Sequence, residues 1–68
     1  MENNWVCIYS TSILFNAEMA KEILFENSIA SVIINKQDST YLFGFLEIYV
    51  ERDHAVRAKH ILQKAEIS

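Results

Sequence analysis

The chain is predicted to be an α+β domain of βαββα order, a ferredoxin-like split βαβ unit that stops before a fourth strand. Three observations carry this. Residues 44–50, Gly44-Phe45-Leu46-Glu47-Ile48-Tyr49-Val50, alternate in the period of a half-buried strand and follow the chain's single glycine. Two further β-type runs precede this stretch, at 5–10 and 30–35. Two segments with apolar residues at helical spacing separate and follow the strands. A strand–helix–strand crossover is right-handed and here leaves a one-strand gap, which the third strand fills antiparallel. The expected sheet order is therefore 1-3-2, with both helices on one face and the outer edge of strand one unpaired.

In the first strand, Val6 and Ile8 are expected on one face and Trp5, Cys7 and Tyr9 on the other. Thr11 and Ser12 offer hydroxyls to cap a helix that runs to about residue 26. Ile13, Ala17, Ala20, Ile23 and Leu24 form its buried stripe, while Glu18, Lys21, Glu22 and Glu26 point away. Asn27 and Ser28 end that helix without a glycine, and Asn27 is the expected left-handed residue. In the second strand, the run Val32-Ile33-Ile34 suggests burial on both faces or an interior register. Residues 36–40 are turn material, and Tyr41 to Phe43 read either as a loop with aromatic anchors or as an early start of strand three. Asp53 is the expected cap of the last helix, whose buried stripe is Ala55, Ala58, Ile61, Leu62 and Ala65. Residues 65–68 are too few for a proper fourth strand.

Composition narrows the function. The 68 residues form a single domain, half apolar and about a fifth charged. With a net charge of -3 and only six basic residues, the chain lacks the basic stripe that displaces counterions from nucleic acid, so no DNA partner is expected. One cysteine excludes an internal disulfide, and no stretch reads as a signal peptide or a membrane span. A cytoplasmic location follows as the expectation, with no membrane partner.

Nor does chemistry assemble from spacing. Cys7 stands alone on a strand and reads as a packing thiol. His54 and His60 are six residues apart and do not share a helix face, so they are poorly placed as a metal pair. The carboxylates Glu18, Glu22 and Glu26 form an i, i+4 row, which usually means a solvated face and sometimes a docking one. One glycine cannot build a phosphate loop. No catalytic residue, metal ligand or cofactor is indicated, and an enzyme is not expected.

The order of elements and the residues within them resemble a small bacterial domain family of unknown function, described as prokaryotic signal-transducing proteins and related in fold to the PII nitrogen regulators. The resemblance runs through Trp5-Val6-x-Ile8-Tyr9 and through Ala17-x-x-Ala20-x-x-x-Leu24 leading to Ile29. It continues with Asn35 and Ser39 in the loop, Ile48-Tyr49-Val50, and Asp53 leading to Ala58 and Leu62. It implies a PII-like fold and a role in signalling, and it brings no catalytic residue. The chain departs from true PII proteins in lacking their long nucleotide-gripping loop.

One feature goes beyond packing. Trp5, Tyr9, Phe45 and Tyr49 are all expected on the sheet face without helices, as one exposed aromatic patch. The expected role is a self-associating interaction module, acting through this face and the edge of strand one on another copy or a protein partner. A small-molecule-sensing domain of the PII or ACT kind is the alternative. Single-stranded RNA binding ranks below both, because the face lacks the basic residues that accompany stacked bases.

Overall fold

A computed structural model describes residues 4–37 and 44–65. Its elements are β1 (Trp5–Thr11), α1 (Leu14–Glu26), β2 (Ser31–Asn35), β3 (Leu46–Glu51), a short 3-10 turn (Arg52–His54) and α2 (Ala55–Lys64). The sheet has three strands in the order β1-β3-β2, with β3 antiparallel to both neighbours. This is the ferredoxin-like α+β arrangement that the pattern predicts. The residues 41–43, Tyr41 to Phe43, lie outside the described residues, as do residues 66–68.

The sheet is organised on β3. Leu46, Ile48 and Val50 are buried, and Ala17, Ala20 and Leu24 of α1 and Ala58 and Leu62 of α2 close over them. The alanines are fully buried, and their small side chains let each helix backbone sit close to the sheet. Ile8 packs against the edge of this cluster. The two helices are also tied directly, by Arg57 Nη2 donating to the Asn27 carbonyl at 3.1 Å.

Several local expectations are corrected. The cap of α1 is Ile13, with no side-chain hydrogen bond, and Ile13 is exposed rather than part of the buried stripe. The Thr11 hydroxyl acts one step earlier, accepting from the Ile13 N–H at 3.1 Å while buried at the end of β1. At the other end, the left-handed residue is Ser28 (φ 63), not Asn27. Ser28 N–H donates to the Phe25 carbonyl and Ile29 N–H to the Leu24 carbonyl, at 3.0 and 2.9 Å, and Ile29 buries beside Leu24. Asn27 instead donates its side-chain amide to the Ile23 carbonyl at 2.8 Å. Asp53 lies inside the 3-10 turn, and His54 is the cap of α2. Ala65 is exposed rather than buried.

Gly44 is the one position where only glycine fits. Its φ is 105, and a Cβ there would lie 2.5 Å from the Lys36 carbonyl oxygen. The close approach lets Lys36 N–H donate to the Phe45 carbonyl at 2.9 Å, extending the β2–β3 ladder.

Candidate functional site: the sheet face away from the helices

Alternation on β3 turns Glu47, Tyr49 and Glu51 away from the helices. The register places Trp5 opposite Glu51, Cys7 and Val32 on either side of Tyr49, and Ser10 and Ile34 on either side of Glu47. Trp5 and Tyr49 are therefore diagonal neighbours on this face. Phe45, one position before β3, is 55% exposed, and alternation carries it to the same side.

Tyr9 is not on this face. The β1–β3 register slips between Cys7 and Tyr9, so that Tyr9 pairs with Ile48, a core residue. A bulge sets two residues against one and breaks the alternation. Ile8 and Tyr9 both pack toward the helices and line a shallow groove with Lys59, Leu62 and Gln63 of α2. The expected patch of four aromatics is thus Trp5, Phe45 and Tyr49, with Tyr9 on the opposite side. The slip shows only in the paired strands, where β1 has 7 residues and β3 has 6 over the same ladder.

Two members were missed by the sequence reading. Val32 and Ile34 belong to this face, and Val32 is exposed; Ile33 alone of that run packs on the core. A run of three branched residues hides which of them turns outward. Cys7 is also exposed here rather than buried, its thiol 3.6 Å from the Tyr9 carbonyl oxygen.

Three polar groups on this side form one chain. The Tyr49 hydroxyl donates to Glu47 Oε1 at 2.9 Å, and Lys36 Nζ lies 3.5 Å from the same oxygen. The hydrogen bond to Glu47, followed by partial burial and the carboxylate's charge, holds the Tyr49 phenol above its ordinary pKa, with Lys36 opposing. Among the described residues no cluster of three or more His, Cys, Asp or Glu side chains is arranged to hold a metal, and no helix is long and apolar enough to cross a membrane.

A three-stranded sheet with helices on one side and an apolar, aromatic surface on the other defines a small α+β domain of the ferredoxin-like class. The family model described as "Putative prokaryotic signal transducing protein" matches residues 5–66, nearly the whole chain, and the chain belongs to that family. No curated protein and no solved structure matches it.

Proposed function

We propose that the chain is a non-enzymatic interaction module of signal transduction that self-associates through the sheet face away from the helices. The observation behind this reading is the placement of Trp5, Val32, Ile34 and Tyr49 on strands that, among the described residues, no helix covers on that side, with Phe45 exposed beside them. Each aromatic brings roughly 150–250 Å² to a contact. Glu47 would ordinarily penalise covering such a face, but Tyr49 and Lys36 already partner one of its two oxygens, Oε1. Two copies packed face to face about a twofold axis would bury this surface on both, and such an isologous arrangement is the commonest among oligomers.

The edge of β1 contributes less than its uncharged sequence suggests. A bulge is one device by which sheets blunt their edges, and β1 carries one. The face, rather than the edge, carries the proposal. Small-molecule sensing ranks second: the groove of Ile8, Tyr9, Lys59, Leu62 and Gln63 holds about 180 Å³, below the roughly 300–1,000 Å³ usual for ligand sites, and the larger groove of about 460 Å³ beside α1 has a wall made mostly of the surface side chains Glu18, Lys21, Glu22 and Phe25. Against RNA, the face presents Glu47 and Glu51, and Lys36 is engaged with Glu47.

Sedimentation equilibrium tests the proposal. The parent should sediment as an oligomer, and Trp5→Glu and Tyr49→Glu should each reduce it to monomer while keeping the helical circular dichroism. A parent that is monomeric at millimolar concentration overturns it.

A further inference from the structure

We propose that the outer face of α1 docks a basic amphipathic helix of a partner protein. Helical spacing turns Ala17, Ala20 and Leu24 inward and leaves Phe15, Met19, Glu22 and Glu26 along the opposite side. Phe15 is 68% exposed and Phe25 74%. Phe25 forms one wall of a groove of about 460 Å³ that also takes in Glu18, Lys21, Glu22 and, from β2, Ile33. Apolar anchors and carboxylates therefore share one surface.

Folding does not explain those carboxylates. Glu18, Glu22 and Glu26 stand four residues apart, where like charges repel, and no ion pair to them is formed among the described residues. Their position along the helix is also unfavourable. α1 has no acidic residue in its first turn and no basic one in its last, and Glu26 closes it at the negative end of the macrodipole. Every one of these charges would gain from an external cation. A helix with lysine or arginine beside an apolar stripe supplies the complement to both features at once. Anionic membranes and nucleic acids are repelled by the same carboxylates. The surface lies on the helical layer, across the molecule from the sheet face away from the helices, so the two contacts do not compete.

The probe is a fluorescently labelled synthetic helix with leucine and lysine at amphipathic spacing, titrated against the full chain by anisotropy. Two further peptides serve as controls: one with the sequence scrambled, one with glutamate in place of lysine. Saturable binding of the first peptide alone is expected, weakening with salt and by about tenfold or more in Glu22→Lys and in Phe25→Ser. Both positions are exposed, so circular dichroism should be unchanged. Trp5→Glu should bind as the parent does, which separates this surface from the sheet-face contact. Equal binding of the scrambled helix, or affinities unmoved by both substitutions, would overturn the proposal. So would self-assembly that Glu22→Lys abolishes and the swap Glu22→Lys with Lys64→Glu restores, because the occupant would then be α2 of a second copy.

Discussion

The Tyr49 hydroxyl ends on a carboxylate that also meets an ammonium group, and this ties the phenol's ionisation to the charges of the open face. Because the folded state holds the Tyr49 proton more tightly than an unfolded chain does, protonated Tyr49 contributes stability. The contribution is fully present below the ordinary tyrosine pKa of about 10 and is lost as pH rises through the elevated folded value. A phenolate there would face the Glu47 carboxylate. Thermal melts of the parent and Tyr49→Phe, at one fixed protein concentration from about pH 8 to about pH 11.5, should show this. The parent should lead at the lower end and lose its lead in the alkaline range. A lead that persists unchanged at the top of the range would remove Glu47 as the cause.

At the scale of elements, the ends of α1 set the clearest test. Ser28 occupies a left-handed position that glycine normally fills, and there a side chain costs roughly 1–2 kcal/mol. Glycine would surrender roughly 0.5–1 kcal/mol of that gain through its greater unfolded-state freedom. Ser28→Gly should therefore raise the melting temperature slightly, and Ser28→Val should lower it. A fall with glycine would mean that the Ser28 side chain does something beyond adopting the turn. The same turn shows what sequence reading reaches. That α1 stops near residue 27 is legible from Asn27-Ser28, but which of the two turns left-handed depends on Ile29 burying beside Leu24. The order β1-β3-β2 is legible because crossover handedness and strand polarity leave few alternatives. The bulge is not legible, since Trp5 to Tyr9 are apolar throughout and the slip appears only when β1 is laid against β3. That one slip moves Tyr9 from the open face to α2 and reshapes the candidate site. The exposed aromatics of α1 are hidden for a different reason: a helix whose alanines already satisfy the core leaves larger apolar residues free to point outward.

For the whole molecule, stability and assembly are one problem. At roughly 0.05–0.15 kcal/mol per residue, a chain of 68 residues holds roughly 3–10 kcal/mol in reserve, while leaving aromatic surface on both its layers. Ile48 is the residue on which that reserve rests. It is fully buried, paired with Tyr9 on one side and Ile33 on the other, in the cluster that contains Leu24 and Leu62. Ile48→Ala should cost about 2–5 kcal/mol and Ile48→Val about 0.5–1.5. The first is expected to leave much of the chain unfolded at ambient temperature, and the second to keep the fold with a lowered urea midpoint. If self-association through the sheet face holds, the folded fraction of Ile48→Ala should rise with protein concentration, because assembly draws on the folded state alone. Urea titrations at two concentrations a hundredfold apart measure both effects. An Ile48→Ala chain that melts within a couple of degrees of the parent would remove β3 from the centre of the sheet. A midpoint lowered as expected but independent of concentration would leave the fold intact and count against the dimer.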